Sequence, residues 1–242
     1  MHANSDQAIA KYWADFFGVE IRNLFDGKTH IVPHRGLTGY HGSWVFRCNG
    51  TTIISVPESD VTSATSRAAN LSIASMTPDA IQQNLFRDRI SKLIGPAYQG
   101  FITQESLRTV TEPEAHLATA ADSAALKKLA SDCLKEDWEH SSIDFDDERI
   151  FVAKVGQAIV AAASVKRQDG IYPSLGFVTH SEHRGKGLGA AVASAAVADA
   201  LANNKLVLWQ TLSTNVSSIK VAERLGAKKF AESYAARLSL EG

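Results

Sequence analysis

The most informative stretch of this chain reads His183-Arg184-Gly185-Lys186-Gly187-Leu188-Gly189. It follows an apolar extended run, Leu175 to Thr179, and precedes a run rich in Ala and Val, Ala190 to Ala202, which is typical of a helix. The start of a helix has unpaired N–H groups and a partial positive charge, and glycine lets backbone amides approach an anion without a Cβ in the way. Arg184 and Lys186 add positive charge there. The stretch therefore predicts a strand, a glycine loop and a helix that bind a phosphate-bearing ligand.

Two common phosphate-binding motifs do not match this stretch. A P-loop reads G-x-x-x-x-G-K followed by Ser or Thr, but Lys186 is followed by Gly187. A dinucleotide-binding fingerprint reads G-x-G-x-x-G, with an acidic residue about 20 positions later. Here the glycine spacing is G-x-G-x-G, and the residues at that distance are Leu208, Trp209 and Gln210.

The pattern that matches is Q/R-x-x-G-x-G/A, carried by Arg184, Gly187 and Gly189. It resembles the coenzyme A pyrophosphate loop of the GNAT (GCN5-related) N-acetyltransferase superfamily. A second block follows a buried strand predicted at Leu206 to Trp209. It resembles the superfamily's helix N-x-x-A/S-x-x-L/V-x-x-K/R-L-G-F/A, and the matching residues are Asn215, Ser218, Val221, Arg224, Leu225 and Gly226.

The residues themselves agree with a helix in this second block. Asn215 is a good N-cap, and Gly226 is a good residue for the position after the helix end, with Arg224 in the last turn. A closing strand is predicted at Lys228 to Leu238.

The resemblance covers roughly residues 105–242 and implies an α/β (α+β) GNAT fold, in which a mixed, mostly antiparallel central sheet is flanked by helices. We place a domain boundary at the polar segment Thr103 to Glu105. The predicted domains are a smaller N-terminal α/β domain at 1–104, a candidate wall of the acceptor pocket, and a GNAT acetyltransferase domain at 105–242. The elements predicted in the second domain are a first strand at Leu107 to Val110, a helix at Asp122 to Trp138, and a hairpin of Arg149 to Val155 and Ala158 to Lys166 about Gly156-Gln157.

Four elements are predicted in the first domain. An amphipathic helix ends at Gly18 and has an apolar stripe of Ile9, Tyr12, Trp13, Phe16 and Phe17. Two strands, Trp44 to Arg47 and Thr51 to Val56, meet at an Asn49-Gly50 hairpin turn. A second helix is predicted with Thr77 as its N-cap, Pro78 as its first residue and Gly95 directly after its end. Its inward-facing residues are predicted to be Ile81, Leu85, Leu93 and Ile94.

Composition limits the remaining function classes. The 242 residues carry a net charge of −1, which does not indicate a nucleic-acid partner. Cys48 and Cys133 are far apart and have no metal-like spacing, so we expect a reducing compartment and no metal. No apolar run approaches the ~18 residues of a membrane span, and the first residues do not follow a signal-peptide design. We expect a cytoplasmic protein with no membrane partner, and we hold a homodimer as a candidate assembly.

The resemblance implies acetyl-CoA (coenzyme A) as cosubstrate. The backbone of Phe177 to Thr179 would pair with the pantetheine amides, and one N–H near Val178 or Thr179 would point at the thioester carbonyl as an oxyanion donor. The predicted cofactor-binding residues are Phe177, Val178, Thr179, Arg184, Gly185, Lys186, Gly187, Leu188, Gly189, Asn215 and Ser218.

The catalytic residues stay open at this point. Many relatives have a Tyr that protonates the departing thiolate, but this chain has Ala222 at that place. Weak candidates for the acid are Tyr234, Ser218 and Ser217, and weak candidates for the base are His180, Glu182, His183, His34 and His41.

The resulting hypothesis is an acyl-CoA-dependent N-acyltransferase that transfers acetyl to a primary amine, small-molecule or peptide, by direct attack in a ternary complex. The alternative is a GNAT-fold module that binds acyl-CoA as a sensor or structural domain without turnover. The acceptor amine is left open, because no motif in the first domain indicates one.

Overall fold

A computed structural model describes residues 3–37, 39–68, 81–86, 89–147, 149–168 and 171–239. Thr77 and Pro78, the predicted start of a helix, lie outside the described residues. Among the helices that are described, none is long and apolar enough to cross a membrane.

The described chain alternates between helices and strands. In chain order the helices are α1 (Ala3–Phe17), α2 (Val61–Ala68), α3 (Ser123–Asp132), α4 (Lys135–Ser141), α5 (Leu188–Leu201) and α6 (Val216–Arg224). The strands are β1 (Thr29–Pro33), β2 (Gly42–Cys48), β3 (Thr51–Val56), β4 (Ile90–Thr103), β5 (His116–Leu117), β6 (Ile150–Val155), β7 (Ala158–Gln168), β8 (Ile171–Thr179), β9 (Leu206–Leu212) and β10 (Lys228–Leu238).

The chain forms two compact units. The first contains Met1–Gln99, Thr211–Asn215 and Lys229–Gly242, and the second contains Gly100–Gln210 and Val216–Lys228. The division starts near the predicted boundary, but the final strand β10 groups with the first unit rather than the second. The two predicted domain ranges therefore stay a prediction, and each unit is described by itself below.

The strands of the first unit follow the order β1-β3-β2-β10-β4. The β2–β3 hairpin turns at Asn49 and Gly50, whose φ angles of 47° and 83° confirm the predicted turn. On one face, α1 buries Trp13 against Phe46, with ring centroids 4.6 Å apart. The predicted apolar stripe of α1 is thus confirmed as core, and Gly18, with φ 69°, follows the helix end.

The prediction of a helix that ends at Gly95 is wrong. Leu93 and Ile94 lie in β4, and among the residues that the structure describes between α2 and β4 there is a short π-helical turn, Ile81–Phe86. Gly95 has φ 126°, which a helix does not allow. β4 lies beside β10, so long-range strand pairing overrides the local helical pattern.

The strands of the second unit follow the order β4-β9-β8-β7-β6-β5. The pairs from β5 to β8 are antiparallel and β8 pairs with β9 in parallel, which is the predicted mixed, mostly antiparallel sheet. Helix α5 packs on one face of this sheet around Val192 and Ala196, and α3 packs on the other around Leu126 and Leu129.

Two predicted elements of the second unit need correction. Leu107 to Val110 is not a strand, because its backbone bonds elsewhere: Arg108 N–H donates to the Leu225 carbonyl and Val110 N–H to the Ser194 hydroxyl, both at 2.9 Å. The helix predicted at Asp122 to Trp138 is broken between α3 and α4. Leu134, predicted to face inward, lies at this break with 70% of its surface exposed.

Candidate coenzyme A site

Three glycines shape the loop between β8 and α5, and they are needed for two different reasons. Gly185 and Gly187 have φ angles of 76° and 83°, in the left-handed region that favours glycine. Gly189 does not, but a Cβ there would lie 2.8 Å from the Thr179 hydroxyl oxygen. The alternating glycines therefore combine a tight turn with a close approach of α5 to the end of β8.

This geometry leaves a row of backbone donors at the start of α5. The first helical hydrogen bond in this region runs from Ala191 N–H to the Gly187 carbonyl at 3.0 Å. For the six N–H groups of residues 185–190, the described part of the chain provides no acceptor. A helix of 14 residues adds partial positive charge at this end. Such a row of amides is suited to bind the oxygens of a phosphate group. We call residues 185–190 the cradle.

The edge of β8 beside the cradle is open. β8 pairs with β7 up to Thr179, but its register with β9 contains one described pair, Ser174 with Leu208. His180 N–H donates to the Val160 carbonyl of β7 at 2.9 Å. Because backbone groups alternate along a strand, the N–H and C=O groups of Phe177 and Thr179 point away from β7, toward the open edge.

Val178, which was predicted with its two neighbours as a cofactor contact, has a different position. The same alternation directs its backbone to β7, and its side chain is buried in the cluster around α3. Of the two amides proposed as oxyanion donor, only that of Thr179 faces the open edge.

An aromatic pair lies beside the open edge. The rings of Phe177 and Trp209 are 5.6 Å apart, and the Trp209 indole N–H donates to the Ser218 hydroxyl at 3.1 Å. This places Ser218, at the N-terminal end of α6, on the same side of the sheet as Phe177. Asn215 directly precedes α6, as predicted for a cap, and its N–H donates to the Leu212 carbonyl at 2.9 Å. Asn215 belongs to the first unit.

The charged side chains of the cradle are arranged less simply than the motif suggests. Arg184 donates to the Asp137 carboxylate at 2.8 Å and, through Nε, to the Thr179 carbonyl at 3.2 Å. Lys186 donates to the Glu182 carbonyl at 3.1 Å. Asp137 lies on α4, and no local pattern in the sequence points to its pairing with Arg184.

A second arginine lies at the cradle. A guanidinium nitrogen of Arg224, Nη1, lies 3.7 Å from the point that a Cβ on Gly187 would occupy. Sequence reasoning placed Arg224 in the second motif and in the last turn of its helix, and did not include it among the cofactor-binding residues. The signal that could have found it is its membership of the second motif.

The base candidates lie around the short turn Ser181–His183. His180 Nδ1 accepts the Glu182 N–H at 3.4 Å, and its ring is 5.8 Å from that of His183. The Glu182 side chain is exposed. His183 Nδ1 is buried and has no hydrogen-bond partner within the described structure. The fold thus brings three candidates together directly before the cradle.

The remaining candidates belong to other elements of the chain. Tyr234 belongs to the first unit, where its hydroxyl donates to Glu232 at 2.9 Å, and burial and the Glu232 carboxylate raise the pKa of this phenol. His34 also belongs to the first unit, and both of its ring nitrogens are engaged, by Ser55 and by the Gly42 carbonyl. His41 lies 3.4 Å from the Ser239 carbonyl. Ala222 is fully buried in α6.

No group of three or more potential metal ligands occurs among the residues that the structure describes.

The sequence model of the Acetyltransferase (GNAT) family matches residues 118–227, a little under half of the chain. This range contains β8, the cradle and α6. Residues 118–227 form a GNAT-family domain. A comparison with curated proteins gives no match.

Among the solved structures similar to this chain, one with a TM-score of 0.50 supports the fold. The chain is similar to an acetyltransferase of the GNAT family from Colwellia psychrerythraea, with 16% identity, a TM-score of 0.50, and coverage of 63% of this chain and 59% of that one. It is also similar to a GCN5-related N-acetyltransferase from Kribbella flavida, with 19% identity, a TM-score of 0.45, and coverage of 60% and 59%. For a GCN5-related N-acetyltransferase-like protein from Streptococcus suis the values are 17%, 0.42, 61% and 63%. The chain spans about three fifths of the length of these structures.

The cradle of the GNAT domain fits the diphosphate of coenzyme A on two observations. The amides of residues 185–190 have no acceptor in the described chain. In addition, the approach of Gly189 to Thr179 leaves no room for a Cβ that would separate the row of amides from the end of β8. Both features suit a backbone that binds an anion at close range.

Proposed function

We propose that this protein is an acyl-CoA-dependent N-acyltransferase that transfers acetyl from acetyl-CoA to a primary amine by direct attack in a ternary complex. The observation that supports it most is the row of amides at residues 185–190 beside the open edge of β8, within a GNAT-family domain. The acceptor in this proposal is a small-molecule or peptide amine. Homodimer formation and a cytoplasmic location stay predictions from the sequence.

The chain's own groups divide the work of binding. The cradle amides would donate to the diphosphate oxygens, and the outward backbone groups of Phe177 would pair with the amides of the pantetheine arm. When bound, acetyl-CoA supplies the thioester carbon that the amine attacks. The aromatic pair of Phe177 and Trp209 lies beside the open edge, where it would shield one side of a bound thioester from water.

The Thr179 N–H is the proposed oxyanion donor. It faces the open edge, and a backbone donor held by a strand needs no reorganisation as negative charge develops on the carbonyl oxygen. Removing one such donor from an enzyme typically lowers kcat by about 10²–10³.

Proton transfer needs a base for the ammonium of the acceptor and a donor for the departing sulfur. His180 and Glu182 are the candidates for the base that lie next to the cradle. On the acid side, Ser218 lies beside the open edge through its bond to Trp209, whereas Tyr234 belongs to the first unit. The pH profiles of kcat/KM for His180→Gln and Glu182→Gln would assign the base, because loss of the base removes the acidic limb of the profile.

The test of the function is turnover. Acetyl-CoA would be titrated into the protein by calorimetry, and release of the CoA thiol would be followed against a panel of amino acids, polyamines, aminoglycosides and peptide N-termini. Binding followed by amine-dependent thiol release is the expected result. Absence of acetyl-CoA binding at millimolar concentration would refute the proposed acyltransferase function.

A sensor without turnover is the second candidate, and one observation favours it. Many GNAT relatives have a Tyr at the place of Ala222. Here that position carries only a methyl group, which is fully buried. A sensor would bind acetyl-CoA and release no thiol with any amine of the panel. The two candidates therefore share the binding result and differ in the turnover result.

A further inference from the structure

The last peptide unit of β8 is held on both of its sides. Its N–H, that of His180, donates to the Val160 carbonyl of β7 at 2.9 Å. Its carbonyl, that of Thr179, accepts a hydrogen bond from Arg184 Nε at 3.2 Å. Because a peptide unit is planar, bonds to both of its polar groups fix its orientation. The Thr179 N–H belongs to the preceding unit and shares the Thr179 Cα with this one, so the direction of that amide depends on how firmly this unit is held.

The guanidinium that holds the Thr179 carbonyl is itself held by Asp137. Arg184 Nη2 donates to the Asp137 carboxylate at 2.8 Å, while Nε of the same group donates to the carbonyl. Since a guanidinium is rigid and planar, fixing one of its nitrogens limits the directions of the others. An arginine side chain without such a second contact has several free rotamers, and ordering it costs entropy. Asp137 therefore orients the donor that the Thr179 carbonyl receives.

Helix α4 gives Asp137 a defined place beside β8. Four residues later, at Ser141, the helix lies so close to the strand that a Cβ on Gly176 would overlap the Ser141 carbonyl oxygen. Trp138, the neighbour of Asp137, packs against the apolar cluster around α3. The carboxylate is thus presented by an element that packs on the same strand whose end it helps to fix.

We propose that Asp137 is a positioning residue: through Arg184 it fixes the last peptide unit of β8, and thereby the direction of the Thr179 N–H. This inference rests on the proposed function, in which that N–H is the oxyanion donor. Asp137 acts through Arg184 and not on the cofactor or the acceptor. It lies outside both sequence motifs, and it gives Arg184 a role other than contact with a phosphate.

The ion pair also sets the sign of the effect on cofactor binding. The Asp137 carboxylate neutralises a guanidinium that lies next to the cradle. Asp137→Asn removes this negative charge, which leaves more positive charge close to the row of amides. Since acetyl-CoA carries a diphosphate, its Kd should stay equal or fall. A residue that served only the fold would have the opposite effect, because a damaged site binds more weakly.

The experiment compares the full chain with Asp137→Asn, Asp137→Glu and Asp132→Asn. Asp132→Asn is the matched control, because Asp132 forms an ion pair of the same length, 2.8 Å, with Lys128 within α3. NMR measures hydrogen exchange at the amides of His180 and Val178, both of which are directed to β7. Calorimetry measures the Kd of acetyl-CoA, and thermal unfolding without ligand measures Tm.

We expect the His180 amide to exchange about three- to tenfold faster in Asp137→Asn, as for loss of a half-exposed charge-assisted hydrogen bond. The Val178 amide, farther from the strand end, should keep its rate. With an amine that the parent protein acetylates, kcat should fall about tenfold or more, because a misplacement of about 1 Å can cost a hundredfold. Asp137→Glu should recover part of each effect, and Asp132→Asn should behave like the parent protein.

Three results would overturn the proposal. The first is an unchanged exchange rate at His180 in Asp137→Asn, and the second is an equal acceleration in Asp132→Asn. The third is a weaker Kd of acetyl-CoA together with a lower Tm and faster exchange at both amides, because Asp137 would then serve only the fold.

Failure of the proposed function is a separate result. It would be seen in the parent protein, as absence of acetyl-CoA binding or absence of thiol release with every amine of the panel. The exchange rates of the His180 and Val178 amides are measured without ligand, so they decide the role of Asp137 at the end of β8 in either case.

Discussion

Replacing Gly187 with Asp and with Asn separates charge from shape at the cradle. Both side chains have nearly the same size, and both tolerate the left-handed φ of 83° at a shared cost of about 1 kcal/mol. Only Asp brings a negative charge to the row of amides, where Arg224 would also attract it. Repulsion between two unit charges about 4 Å apart near a protein surface is about 4 kcal/mol. Screening by salt lowers this repulsion. A remaining repulsion of about 2.7 kcal/mol would weaken the Kd of acetyl-CoA a hundredfold.

Thermal unfolding with acetyl-CoA measures the difference. At about 100 times its Kd, acetyl-CoA should stabilise the parent protein by about 2.7 kcal/mol, or about 5–11 °C in Tm for a chain of this size. At the same acetyl-CoA concentration, a Gly187→Asp variant that binds a hundredfold more weakly would be stabilised by about 0.4 kcal/mol. A Gly187→Asn variant that binds tenfold more weakly would be stabilised by about 1.4 kcal/mol. Equal losses in the two variants would refute the anion argument, because backbone strain would then account for both. A full shift in both variants would show that the cradle is not the binding site.

Three further predictions concern single residues. Gly176→Ala should lower the free energy of unfolding by about 1–3 kcal/mol in urea, because its Cβ would overlap the Ser141 carbonyl oxygen; an unchanged midpoint would contradict this contact. Burial lowers the pKa of His34, whose Nδ1 bonds to Ser55, so the unfolded chain binds the proton first and stability should fall as pH drops below about 6.5. Denaturation at a series of pH values should show a smaller fall for His34→Gln, and an identical fall would exclude His34 as a source. Ala222→Tyr should destabilise the protein by about 1–3 kcal/mol without faster thiol release, since the site is fully buried; faster release at unchanged stability would show that a donor was missing.

Local sequence patterns predicted several elements well. The Asn49-Gly50 turn, the stripe of α1 and the hairpin about Gly156 depend on neighbouring residues, and the structure has all three. The glycine loop before α5 belongs to the same class, since positive φ at Gly185 and Gly187 is a local property. For such features, the residues that specify the structure are the residues that form it.

Patterns failed where distant segments decide the conformation. Leu93 and Ile94 read as a helix, but β4 lies beside β10, which is more than a hundred residues later in the chain. Leu107 to Val110 reads as a strand, but its amides bond to Leu225 and Ser194. In each case the backbone hydrogen bonds go to partners that no local window contains.

The same distinction divides the candidate site. The sequence by itself determined that a glycine loop precedes a helix and that a phosphate-bearing ligand fits there, because a helix start and flexible glycines are local features. Only the tertiary structure decided that Phe177 and Thr179, and not Val178, face the open edge, since this depends on the register with β7. It alone showed that Arg184 is held by Asp137 while Arg224 reaches the cradle from another helix. Side-chain partners across a sheet follow from packing, and packing is a property of the whole chain.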